Sequence, residues 1–171
     1  TKRRTKTFTH YYELKKRKSQ ENRIHGFDSS DLIYLVMPDR FANGNSANDD
    51  TANTLEKADR SNKDGRHGGD LQGFIDNMDY FKKMGITTLW LNPVLVNDRP
   101  AFSYHGYAAT DLYTIDPRYG GNEKYVELIE KLHQNDLKII MDMVANHISD
   151  LHWTIKDKPM KNWVNYPDKF V

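Results

Sequence analysis

Three stretches of the chain are apolar almost without interruption: "LIYLVMP" (32–38), "ITTLWLNPV" (86–94) and "KIIMDMV" (138–144). Strands that alternate apolar and polar residues have one wet face, whereas continuous runs like these predict strands covered on both faces. Between them the spacing changes to that of a helix. In "FIDNMDYFKKMG", Phe74, Met78 and Phe81, with Ile75 beside them, form one stripe, and Gly85 is placed to end the helix. In "NEKYVELIEKLHQND", Tyr125, Leu128, Ile129 and Leu132 form a second stripe, with Asn122 as the expected N-cap. The order strand, helix, strand, helix, strand predicts an α/β fold with a parallel sheet and right-handed crossovers.

The lengths are uneven in an informative way. The returns from helix to strand are tight, but the connections near 38–72 and 93–121 each run to about thirty residues, where 2–6 is usual. Long loops leaving the C-terminal ends of parallel strands are where α/β enzymes carry their sites. At the end of the third run, Ile139, Ile140, Met141 and Met143 surround one carboxylate, Asp142, with Asn146 and His147 just beyond. An acid buried there without a partner is costly. Towards the C-terminal end of the strand it can instead face a polar cavity. Spacing alone leaves two readings open: a functional acid at the mouth of the sheet, or an Asp that caps a loop beside a His that packs.

Composition narrows the partners. The net charge of +1 conceals a basic start, with nine Lys/Arg against three Asp/Glu in residues 1–30 and sixteen against twenty-one in the rest. A nucleic-acid arm and a solvated linker, or the edge of a preceding domain, both account for it. No basic amphipathic helix or aromatic-interleaved patch follows, which favours the linker and no nucleic-acid partner. The absence of cysteine excludes disulfides and thiolate metal sites and identifies no compartment. No apolar stretch approaches the ~20 residues of a membrane span. The chain opens "TKRRTKTF" without an initiator methionine and is expected to begin inside a longer protein. The turn "NGNSANDD" offers hard oxygens from Asn43, Asn45, Asn48 and Asp49, which suits either calcium or a plain Asx-rich turn. "DGRHGGD" lacks the lysine and Ser/Thr of a phosphate loop.

Four segments in order carry a family resemblance. "DMVANH" resembles the DxVxNH signature of the α-amylase superfamily of glycoside hydrolases, and "YHGYAATDLYTIDPRYGG" (104–121) resembles that family's loop after the second strand. "IYLVMPDRFANGNSAND" and "GGDLQGF" resemble its first strand and the lead into its first helix. The flavour is nearest the neopullulanase and cyclomaltodextrinase branch, and the resemblance spans residues 31 to about 165.

The resemblance implies a partial (β/α)8 TIM barrel: the first three strands with their helices, and the start of a subdomain inserted after strand three. Residues 31–147 would be barrel, 148–171 the start of the insertion, and 1–30 the basic linker. A whole barrel needs ~250 residues. The family's retaining chemistry uses a nucleophile and an acid/base carboxylate, with a third acid assisting. These lie on later strands, and no GxRxD pattern is present, so the chain holds no catalytic residue and by itself is expected to be inactive. By resemblance Tyr107 stacks on the sugar whose bond breaks, and His105 and His147 hydrogen-bond its hydroxyls. Asp142 holds a downstream arginine, and Asn146 fixes the loop. Without the resemblance, Tyr107 would read as a loop tyrosine covering core and His105 as a solvated one. Calcium would be held by Asn43, Asn45, Asn48 and Asp49, closed by Gly68 and Asp70 of "GGD". The family often has an aromatic after the "HGY" tyrosine, and here Ala108 stands in its place.

The expected activity is cleavage of α-glucosidic bonds in maltodextrins, cyclodextrins or starch-like polysaccharides, and the expected partner is an α-glucan. A non-catalytic oligosaccharide-binding or transporter-accessory homologue, and a transglycosylase or isomerase on the same fold, are the alternatives. With two sheet edges open, the isolated chain is expected to associate with itself.

Overall fold

A computed structural model describes residues 8–17 and 26–164. The strands are β1 (Ile33–Val36), β2 (Thr88–Leu91) and β3 (Lys138–Met141), in one parallel sheet of order β1-β2-β3. Helix α1 (Pro38–Phe41) follows β1; α2 (Leu71–Asp76) and α3 (Met78–Lys83) precede β2; α4 (Gly121–Gln134) precedes β3; α5 (Trp153–Lys156) follows it. The helices α2, α3 and α4 bury their predicted stripes. Phe74, Phe81, Leu128 and Leu132 are fully buried against Leu89 and Leu91 of β2. Phe41 stacks on Phe74 at 4.7 Å and on Phe81 at 5.1 Å, so the first loop is anchored to the same core.

Four expectations are corrected. The first helix is broken at Asn77, whose backbone leaves the helical region (φ −110°, ψ 25°) while its side-chain amide donates to the Gly73 carbonyl at 2.7 Å. The stripe survives because the break costs one residue of helix without turning its apolar face. Asn122 is not the cap of α4: Gly120 holds that position with φ 111°, and the Asn122 side chain accepts from the Ile115 amide at 2.7 Å. Gly85 does end α3 as expected, at φ 73°.

The third correction concerns strand length. Each strand is four residues long, shorter than its apolar run. Asp142 therefore stands one residue past β3 and is half-buried, rather than enclosed within the strand. The fourth concerns the sheet faces. Tyr34, Leu89 and Ile139 lie in register on the covered face, while Leu35, Trp90 and Ile140 lie in register on the other. On that second face Leu35 is 53% exposed and Trp90 38%, because no layer packs on it among the described residues. The continuous apolar runs predicted two covered faces; here one is open.

The two long loops are locked together by a buried polar cluster. Arg118 makes a two-point contact with Asp116, through Nε at 2.9 Å and Nη2 at 2.7 Å, and also donates to the carbonyls of Asn97 and Glu56. Arg66 lies over the Tyr119 ring at 4.8 Å, with the Asp39 carboxylate 3.8 Å from its Nε. Fork-shaped guanidinium contacts of this kind satisfy buried carboxylates geometrically as well as electrostatically. The loops are thus ordered although they contain little regular structure.

Candidate functional site

The site forms where the loops after β2 and β3 meet at the C-terminal end of the sheet. Asp142 begins the loop after β3. Its Oδ2 accepts two hydrogen bonds, from the Tyr107 hydroxyl at 2.9 Å and from the Trp90 indole N–H at 3.2 Å. Its other oxygen has no partner among the described residues. Burial, and then the hydrogen bond and charge of Asp142, push the Tyr107 phenol above its ordinary value, so it remains a donor.

The turn carrying Tyr107 is held from three sides. Gly106 has φ 82°, and a Cβ there would lie 2.0 Å from the Pro93 carbonyl oxygen, so only glycine lets the loop lie this close to the end of β2. The Tyr107 amide donates to His105 Nδ1 at 2.9 Å, and the two rings stack with centroids 6.0 Å apart. Burial lowers the His105 pKa; the Glu56 charge opposes that shift and the Arg99 charge reinforces it. A neutral ring accepting at Nδ1 carries its proton on Nε2. From the third side, His147 Nε2 lies 2.7 Å from the Tyr107 carbonyl and Nδ1 lies 3.2 Å from the Asn146 amide nitrogen. A carbonyl can only accept, so Nε2 bears the proton and Nδ1 takes the Asn146 hydrogen. Tyr107 keeps 36% of its surface exposed.

The structure therefore brings together Tyr107, His105, Asp142, Asn146 and His147. It gives both nitrogens of His147 internal partners, so in this arrangement His147 holds Tyr107 in place. Two contributors were missed from the sequence. Trp90 reaches Asp142 from β2, and its signal was the only indole in an otherwise aliphatic and hydroxylic strand. Arg40 lies over the Tyr104 ring at 4.1 Å, and Tyr104 meets His105 edge-on at 5.5 Å. The chain of contacts Arg40–Tyr104–His105–Tyr107 ties the first loop to the second.

The oxygen-rich turn is a separate cluster. Gly68, with φ 84°, lies against the Asp49 carboxylate, where a Cβ would be 2.7 Å from Oδ1. Asn43 donates to that same oxygen at 2.7 Å. Asn48 Oδ1 is buried without a partner. Burial pushes the Asp49 pKa up; the Asn43 hydrogen bond opposes the shift, and the charges of Asp70 and Asp50 add to it. A buried carbonyl oxygen with no donor, beside a carboxylate strained by other carboxylates, is the environment a hard cation relieves. Asp70 is committed differently. It caps α2 through Gly73 at 2.7 Å, and takes the amides of Gly44 at 3.0 Å and Asn45 at 2.9 Å. Asn45 Oδ1 accepts from Ala47 at 3.2 Å. Among the described residues no group of three or more His, Cys, Asp or Glu is placed for a metal, and this set contains only two carboxylates.

A half-open carboxylate that orients an exposed aromatic ring, beside two histidines at the mouth of a parallel sheet, defines a carbohydrate-handling α/β domain. The comparisons with known proteins are specific. The model of the α-amylase catalytic domain matches residues 35–170, and the chain belongs to that family. It is 41% identical over 116 residues to a cyclomaltodextrinase of Thermoanaerobacter pseudethanolicus, covering 68% of this chain and 19% of that protein. It is 35% identical over 127 residues to neopullulanase 2 of Thermoactinomyces vulgaris, covering 74% and 21%. Among solved structures, the cyclic α-maltosyl-(1→6)-maltose hydrolase of Arthrobacter globiformis in complex with maltose superposes with a TM-score of 0.66 at 31% identity, covering 80% of this chain and 31% of that one. The chain thus spans about a fifth of the length of the two curated relatives. No helix among the described residues is long and apolar enough to cross a membrane.

Proposed function

We propose that this chain is the first part of the (β/α)8 catalytic barrel of a retaining glycoside hydrolase that cleaves α-glucosidic bonds in maltodextrins, cyclodextrins or starch-like polysaccharides. The observation that carries the reading is the convergence of the Tyr107 hydroxyl and the Trp90 indole N–H on one oxygen of Asp142. It fixes an exposed aromatic ring at the end of the sheet, where the apolar C–H face of a pyranose can stack on it. The partnerless Asp142 oxygen suits an arginine from a later part of the protein, and that pairing offsets the cost of holding a half-buried carboxylate. His105 Nε2–H faces no described partner and is available to a sugar hydroxyl. His147 reaches the sugar by exchanging the Tyr107 carbonyl for a hydroxyl; otherwise it acts by holding Tyr107. The open sheet face bearing Leu35 and Trp90 is the surface that further barrel strands would enclose.

The nucleophile and the acid/base carboxylate belong to later strands, so these residues bind and orient but transfer no proton and attack no anomeric carbon. Calcium in the turn of Asn43, Asn48, Asp49 and Gly68, with Asn45 and Asp70 around it, would pin the first loop. The orphaned Asn48 oxygen and the crowded Asp49 carboxylate support that set. Asp70 enters it only by giving up an amide. Bound there, the ion would supply charge neutralisation and rigidity.

The test is a reducing-sugar assay on maltoheptaose with the 171-residue chain, the full-length protein and its His147→Ala variant. The chain alone should be inactive and the full-length protein active. His147→Ala should lower kcat/KM by roughly tenfold to a thousandfold, since contacts at the reacting sugar strengthen in the transition state. Turnover by the chain alone overturns the argument from missing carboxylates. An unchanged kcat/KM in His147→Ala removes His147 from the site.

A further inference from the structure

Phe102 occupies a position where folding gives no reason for a large apolar side chain. Its backbone is left-handed, with φ 60° and ψ 23°. The other described non-glycine residue with positive φ is Asp136 in the turn after α4, a residue type that tolerates the conformation. A phenylalanine does not, and at 54% exposure it recovers little by burial.

The conformation is imposed by the next residue. Ser103 is fully buried; its amide donates to Glu56 Oε2 at 2.7 Å, and its carbonyl accepts from Asn97 Nδ2 at 3.1 Å and Arg66 Nη1 at 3.3 Å. Glycine or asparagine at 102 would satisfy that backbone with less strain. The ring is retained against local preference, and strain kept at an exposed position beside a binding site points to a ligand. The chain then makes one 3-10 turn, Ser103–His105, on its way to Tyr107. Phe102 is the residue before that turn, three positions from His105, and residues so spaced in a 3-10 turn lie above one another. His105 in turn stacks on Tyr107.

From this placement we infer that Phe102 is a second carbohydrate platform, taking a glucose unit of the α-glucan beyond the one that stacks on Tyr107. The assignment rests on the function proposed above and deepens it: the site would prefer chains long enough to cover both rings. An exposed neutral ring suits an uncharged pyranose and needs no counter-charge.

The experiment compares maltoheptaose with maltotriose in the full-length protein and its Phe102→Gly and Phe102→Trp variants, with melting temperatures measured alongside. Phe102→Gly should lower the ratio of kcat/KM for maltoheptaose over maltotriose by about tenfold, the size of one aromatic stacking contact. It should melt no lower than the unaltered protein, because glycine relieves the left-handed backbone. Phe102→Trp should keep the ratio. A Phe102→Gly ratio within about twofold of the unaltered protein overturns the assignment, and so does a Phe102→Trp variant that loses as much as Phe102→Gly. A lower melting temperature with an unchanged ratio makes Phe102 a cover for another segment of the protein. If the unaltered protein turns over neither substrate, the proposed function itself fails and the platform with it.

Discussion

Gly106→Ala offers a measurement of how rigidly the turn carrying Tyr107 is set. Two costs add. Alanine in the left-handed region, at φ 82°, loses roughly 1–2 kcal/mol. Its Cβ would also sit 2.0 Å from the Pro93 carbonyl oxygen and 2.9 Å from the Pro93 carbonyl carbon, so the turn must retreat by about an ångström. Overpacking of this kind costs about 1–3 kcal/mol, giving a total of about 2–5. Gly85→Ala is the matched control. Gly85 has φ 73° and nothing within 4 Å of its Cβ position, so only the backbone cost applies. The assay is urea unfolding of the full-length protein and both variants, with kcat/KM on maltoheptaose. The unfolding free energy of Gly106→Ala should fall below that of Gly85→Ala by about 1–3 kcal/mol, the clash alone. Activity should fall only in Gly106→Ala, because only that turn carries His105 and Tyr107. Equal destabilisation by the two alanines would refute the reasoning: the loop would then not be fixed against Pro93.

Acid should attack the buried cluster. Burial pushes the Asp116 carboxyl up, but the hydrogen bonds and charge of Arg118, with Arg66, outweigh it and hold it below the ordinary carboxylate range. A depressed folded pKa contributes stability above the unfolded value near 4 and loses it as pH falls through the folded value. Melting temperature should therefore drop below about pH 4, with a shallower slope in Asp116→Asn, and parallel slopes would count against the ion pair. For the metal, calorimetric titration of calcium into the stripped full-length protein should give heat that Asp49→Ala loses; equal heats from both would dispose of the site. The isolated 171-residue chain, with unpaired edges on β1 and β3 and an open apolar face, should self-associate or melt without a sharp transition. A monodisperse monomer in light scattering with a cooperative melt would contradict this.

What the sequence determined by itself was local. Helical stripes and strand runs follow from spacing along the backbone, so Phe74, Phe81, Leu128 and Leu132 could be assigned to a core before any partner was known. Gly85 could likewise be placed at a helix end. The "HGY" and "DMVANH" motifs named five residues that the structure brings together. The remainder depends on which distant groups meet. Whether an apolar run stops at Met141 or Val144 is decided by the neighbouring strand's register, and that left Asp142 outside the strand. Asn122 had the right chemistry for a cap, but the Ile115 amide claimed its side chain. Trp90 meets Asp142 across 52 positions, and Glu56 meets Ser103 across 47. No periodicity encodes such pairings, because a hydrogen bond is satisfied by whatever donor the fold delivers. The same holds for His147, whose motif fixed its place in the chain while the Tyr107 carbonyl decided its proton and its partner. Backbone periodicity is a property of neighbours in sequence; charge burial and hydrogen-bond saturation are properties of neighbours in space, and only the tertiary structure determines those.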